Sequence, residues 1–149
     1  MTLFTLKLGL LIFWMLWQLI VFMTNLFEGL KLLRIVPPYW KFASQNYQAV
    51  EQATGAFQAP AWVPRLFFLG VLVWQLATLL LFVRAIVFTA RHGEFLGPPV
   101  TEAFAASVGL LATFMIADEV LKQYDLERAH VLYFIAQVVT LLALHVLPA

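Results

Sequence analysis

The sequence predicts an all-α fold: a four-helix transmembrane bundle with a short interfacial amphipathic helix between spans 1 and 2. Three observations predict it. The 149-residue chain is 63% hydrophobic and 11% charged, where a soluble domain carries roughly 25% charged residues. Four apolar segments are each long enough to cross a hydrocarbon core of about 30 Å. Between the first two, a stretch with one aromatic and one polar helical face lies beyond a proline pair. The length fits a single integral membrane domain spanning residues 1–149.

Span 1 covers about residues 6–30. Leu8 to Met23 contains ten Leu, Ile, Val or Phe residues; at roughly −0.3 to −0.6 kcal/mol each they favour insertion by about 3 to 6 kcal/mol. That outweighs Gln18. Lys7 followed by Leu8–Phe22 has the charge-then-apolar order of a signal peptide, but no small-residue cleavage site follows, so the segment reads as a retained span. Gln18, Asn25 and Glu28 step by seven and three and share one face.

Pro37-Pro38 is read as the end of the first helix. Over residues 39–54, Trp40, Ala43, Tyr47 and Val50 share one face, and Lys41, Ser44, Gln45, Gln48, Glu51 and Gln52 another. Gly55 suits a helix stop. The expected form is a helix lying at the interface, with Tyr39, Trp40, Phe57 and Trp62 at headgroup level. A lid over the bundle mouth is the alternative.

Span 2, about residues 64–90, is roughly 40 Å long as a helix and must tilt or protrude. Gln75, beside Trp74, falls near its middle and calls for a partner on another helix. Arg84 reads as an interface anchor. Span 3, about residues 100–121, carries eight Leu, Ile, Val or Phe residues from Phe104 to Leu121, worth about −2.4 to −4.8 kcal/mol. Asp118 and Glu119 oppose insertion. It is expected to enter as a hairpin with span 4 and to pack through its small residues Ala103, Ala105, Ala106, Ser107 and Gly109.

Span 4 covers about residues 127–147. Glu127, His130, Tyr133, Gln137 and Thr140 step by three, three, four and three, one polar stripe that must turn inward or toward a partner. With both hairpins formed, the termini share a side. The basic residues Lys31, Arg34, Lys41, Arg65, Lys122 and Arg128 lie opposite to Lys7, Arg84 and Arg91, which by the positive-inside rule places both termini outside.

The candidate polar interior is therefore Gln18, Asn25, Glu28, Gln75, Asp118, Glu119, Glu127, His130, Tyr133, Gln137 and Thr140. Two arrangements of its ionisable end are open. In one, Lys31, Arg34, Lys122 and Arg128 pair locally with the acids in a hydrated cap. In the other, Glu28 with Glu119 or Glu127 flanks His130 in a shared vestibule. Glu127-x-x-His130 has the spacing of carboxylate-bridged di-iron bundles, but the second copy is missing. His130 and His145 lie about 22 Å apart along one helix and cannot clamp one haem. No catalytic residue, metal or cofactor is assigned. A net charge of +1 gives no case for nucleic acid, and the absence of cysteine excludes disulfides and thiolate sites.

The order Asn25 and Glu28 closing span 1, Trp74-Gln75 in span 2, and Ala103-Phe104 through Gly109-Leu110 to Glu119 in span 3 resembles the bacterial family called predicted small integral membrane proteins of unknown function. The resemblance implies four spans, a long first loop and a multi-pass place in a bacterial, inner, cell membrane. It implies no activity. The leading expectation is a non-catalytic accessory or scaffolding subunit that binds lipid, a membrane-protein partner or a second copy of itself. A proton, ion or small-solute pathway, and a membrane enzyme or cofactor site centred on Glu127 and His130, are the alternatives.

Overall fold

The computed structural model describes residues 2–95 and 97–147. These form five helices: α1 (Leu3–Leu32), α2 (Asn46–Ala56), α3 (Trp62–His92), α4 (Pro98–Leu121) and α5 (Tyr124–Val146). Four of them, α1, α3, α4 and α5, are long and apolar enough to cross a membrane, and no strand occurs among the described residues. The fold is the expected all-helical four-helix bundle. Its long helices begin two or three residues before the positions read from hydropathy. The Thr2 hydroxyl caps α1 by accepting from the Thr5 amide at 3.2 Å, and Pro98 and Pro99 occupy the first turn of α4, where a missing N–H costs nothing.

Three sequence expectations need correction, all of them in the first loop. Helix α1 stops at Leu32, before the proline pair. Arg34 takes a left-handed conformation (φ 58°), and the Ile35 amide returns to the Leu30 carbonyl at 2.9 Å, which closes the last turn. Helix α2 starts at Asn46 rather than near residue 39. The Ser44 amide bonds to the Thr24 carbonyl of α1 at 3.0 Å, so the chain before α2 is tied to its neighbour and cannot continue a helix. Gly55 lies within the last turn of α2, and Gln58 (φ 55°) takes the left-handed position instead. The helix packs on α3 and α1, burying Tyr47, Ala53 and Thr54. Tyr47 stands edge-on to Phe68 of α3, with ring centroids 5.6 Å apart. Its buried face packs on the bundle as a lid does, and its polar face, Gln48, Glu51 and Gln52, stays exposed as in an interfacial amphipathic helix.

The long helices neighbour one another in the order α1, α3, α4, α5. Helix α5 closes the bundle onto α1 through long side chains. The Lys7 ammonium donates to the carbonyls of Leu144 (2.9 Å) and Leu147 (2.6 Å). A cation at that helix end satisfies orphan carbonyls and opposes the dipole. Trp14 Nε1 donates to Thr140 Oγ1 at 3.1 Å, and Trp17 packs on Tyr133 with centroids 5.1 Å apart.

The end of the bundle that holds both termini is solid. Leu11, Phe82, Val100, Phe104 and Leu144 form its core without solvent access, and Phe82 meets Phe104 edge-on at 5.3 Å. The small residues of α4 make a notch for an aromatic side chain: Trp74 Nε1 donates to the Ala106 carbonyl at 3.0 Å, and a Cβ on Gly109 would lie 3.4 Å from Trp74 Cζ2. Close approach through small residues is how membrane helices gain packing enthalpy. Outward, Phe13, Ile20, Val73, Leu80, Ile116, Leu132 and Val139 are exposed, an apolar coat on every long helix that only lipid can solvate.

Candidate functional site

The other half of the bundle, beneath α2, is hollow. A cavity of about 240 Å³ lies between the four long helices, with Asn46, Ala49, Val50 and Ala53 of α2 along one side. It ends where the solid core begins, one to two turns beyond Gln18, Gln75, Ser107 and Gln137. Most of its wall is apolar. Polar groups reach it from every long helix, for the reason the sequence spacing suggested: a polar stripe in lipid has nowhere to turn but inward.

One polar network joins α1, α3 and the chain leading into α2. Gln75, 1% exposed, accepts at Oε1 from Asn25 Nδ2 (3.0 Å) and at its backbone oxygen from Gln18 Nε2 (3.3 Å). Asn25 Oδ1 accepts in turn from Asn46 Nδ2 at 2.7 Å. The Ser44 hydroxyl lies between Asn25 Oδ1, at 2.7 Å, and Glu28 Oε2. Its single proton serves one of these oxygens at a time. The loop is thus fastened to the polar face of α1 by Ser44 and Asn46.

A second polar pair crosses from α4 to α5. His130 Nδ1 meets Asp118 Oδ2 at 2.5 Å, and Phe114 lies against the imidazole with centroids 4.9 Å apart. Asp118 is buried and His130 partly so. A carboxylate partner fixes the ring orientation, as it does for positioned histidines generally. The pair is charged on both sides only when His130 is protonated.

Of the eleven residues of the expected polar interior, Gln18, Asn25, Gln75, Asp118, His130, Tyr133 and Gln137 line the cavity. Thr140 lies beyond it, held by Trp14. Glu28 is 4% exposed and faces a second, more polar pocket of about 580 Å³ under the first loop, beside Lys31 and Lys41. Glu119 is exposed, and Glu127, partly buried, makes no side-chain hydrogen bond among the described residues.

Neither arrangement read for the ionisable end is the one formed. Among the described residues the contacts between acidic and basic side chains are Asp118–His130 and Arg84–Glu102, so Lys31, Arg34, Lys122 and Arg128 do not pair with the acids. Nor do Glu28, Glu119 and Glu127 surround His130, whose partner is Asp118. Arg84, read as an interface anchor, reaches Glu102 of α4 at 2.7 Å with both side chains about half exposed.

Sequence reading missed Ser44, Asn46 and Ser107 as parts of the site. In the sequence Ser107 reads as one of the small packing residues of span 3, and Ser44 as part of the polar face of an amphipathic helix. No local spacing reports that a loop residue will fold back across nineteen positions to Asn25. Among the described residues no three His, Asp or Glu side chains converge as a metal site.

Comparison with protein-family models, with curated proteins and with solved structures finds no match to this chain.

Proposed function

We propose that this multi-pass membrane protein is a non-catalytic accessory component whose bundle holds a small amphipathic molecule drawn from the bilayer. The observation that carries the reading is the blind, mostly apolar cavity of about 240 Å³. Its polar groups are largely satisfied by one another, which suits an apolar occupant anchored by a few hydrogen bonds. The solid core favours this over a solute pathway, since conduction needs a continuous polar or hydrated route. Five side chains without solvent access stand across that route, Leu11, Phe82, Val100, Phe104 and Leu144. The enzyme reading centred on Glu127 and His130 gains nothing from Glu127, which stays outside the cavity. Length, four spans and a long first loop support placing the chain with the bacterial small integral membrane proteins.

The test is retention of lipid. Protein purified in mild detergent is extracted and the extract analysed by mass spectrometry, beside a variant whose cavity is filled by Val21→Phe and Ala49→Phe. The expected result is one amphiphile held by the parent protein and lost from the filled variant, with helix content unchanged. Equal retention by both would refute the proposal.

A further inference from the structure

The pocket under the first loop, outside the cavity, holds charges of both signs that do not meet. It measures about 580 Å³ and lies between the last turns of α1 and the loop. Ligand clefts run from about 300 to 1,000 Å³. Glu28, 4% exposed, faces the pocket together with Lys31 and Lys41. Neither lysine comes within ion-pair distance of Glu28 or of any other acid among the described residues. Glu28 Oε2 meets the Ser44 hydroxyl. Oε1 makes no hydrogen bond among the described residues, yet it is not sealed in: the fully enclosed side-chain oxygen without a partner is Gln137 Oε1. Glu28 Oε1 therefore keeps access to the pocket.

A deep acceptor with two unpaired ammonium groups nearer the rim calls for an occupant of the opposite polarity. A cation that carries N–H must enter first, and an anion must follow. We propose that this pocket holds the phosphoethanolamine headgroup of a membrane lipid, its ammonium on Glu28 Oε1 and its phosphate beside Lys31 and Lys41.

The order of burial matches the order of groups in that lipid. Glu28 is buried, Lys31 partly buried and Lys41 exposed. The headgroup runs from ammonium through two carbons to phosphate, then to glycerol and the acyl chains. Leu32 lines the pocket, and Leu33 and Ile35, which follow it, are exposed, apolar surface on which acyl chains can lie. Trp40, also in the wall, rests on Phe27 of α1 with ring centroids 5.5 Å apart, and tryptophan settles at headgroup level. The C-terminal end of α1 is the negative end of its dipole, which favours a cation there. Other headgroups answer only part of the site. A trimethylammonium has no N–H to give Oε1. A glycerol phosphate serves the lysines and brings no cation to Glu28. The site does not depend on what the cavity holds.

Binding is counted by native mass spectrometry on the whole protein, stripped of lipid in mild detergent. It is titrated with dioleoyl lipids bearing ethanolamine, choline or glycerol headgroups, and the ethanolamine lipid is then challenged with soluble phosphoethanolamine. The ethanolamine lipid is expected to bind about tenfold or more tightly than the other two, roughly one charge-assisted hydrogen bond. Soluble phosphoethanolamine, which brings no acyl chains, is expected not to displace it at equal concentration. Glu28→Gln keeps an oxygen for Ser44 and is expected to level ethanolamine with choline. Lys31→Gln combined with Lys41→Gln is expected to weaken all three lipids. The variant with Val21→Phe and Ala49→Phe should keep the ethanolamine preference, because neither residue lines this pocket.

Equal binding of the ethanolamine and choline lipids by the unaltered protein, or tightest binding of the glycerol lipid, would overturn the assignment whether or not the variants fold. So would an ethanolamine preference that survives Glu28→Gln, or lipid binding indifferent to the loss of both lysines. Full displacement by soluble phosphoethanolamine would overturn the lipid as source and make the ligand a soluble zwitterion. A preference lost on filling the cavity would move the lipid there, which refutes this site and leaves the amphiphile cavity standing.

Discussion

Asn25 shows how much one amide can hold in a membrane. It is 1% exposed and bonds to Gln75 of α3, to Ser44 of the first loop and to Asn46 at the start of α2. Hydrogen bonds between membrane helices average only about 0.6 kcal/mol, because unfolded helices find other partners in the bilayer. The larger penalty comes from what a deletion leaves behind. In Asn25→Leu, Gln75 Oε1 loses its donor while Gln75 stays buried, and an orphaned buried group costs about 1–3 kcal/mol. The variant is expected to unfold in detergent titrations with a loss in that range. Adding Gln75→Leu should restore part of it, since an apolar pair of similar volume leaves nothing unsatisfied. A cycle in which the two losses simply add would show that the amides are not coupled.

At the scale of elements, the long helices were legible because each is a run of apolar residues in a chain whose solvent is lipid. Periodicity placed Gln18 and Asn25 on one face, a mid-span position called for a partner at Gln75, and all three are buried. The start of α2 was not legible. Residues 39–45 carry an acceptable amphipathic pattern, but two tertiary interactions outweigh it: the Ser44 amide on Thr24 and the Ser44 hydroxyl on Asn25 and Glu28. The Asp118–His130 pair was equally hidden, because a spacing of twelve residues across a turn reports nothing about which acid the imidazole will meet. The attachment of the lid makes its own prediction. In Ser44→Ala the hydroxyl is lost and the amide bond to Thr24 kept. Amide hydrogen exchange across Asn46–Ala56 is expected to quicken about five- to tenfold, as removal of about 1 kcal/mol from a local opening would give. Exchange in α1 and α3 should not change. Uniform acceleration along the whole chain would mean that Ser44 holds the bundle rather than the lid.

The whole molecule is two different halves joined along the same four helices. Around the termini, Lys7 on the α5 carbonyls and the Phe82–Phe104 pair make a packed block; under α2 the same helices diverge around a cavity. Such a division requires a fixed topology, because Lys7 reaches α5's last turn only if α1 begins where α5 ends. Four crossings give that result, and three or five do not. The chain contains no cysteine, so single substitutions report topology without background. Thr2→Cys and His145→Cys, both at exposed positions, should react with a membrane-impermeant maleimide from one face of sealed vesicles. Gln52→Cys on α2 and Asp125→Cys at the start of α5, also exposed, should react only from the other. The protein should also stay in the membrane through an alkaline carbonate wash, since its outward Phe13, Val73, Leu132 and Val139 side chains have no other apolar surface to cover them. Thr2 and His145 labelled from opposite faces would separate Lys7 from Leu144 by a bilayer. The block, and the blind end it gives the cavity, could not then exist.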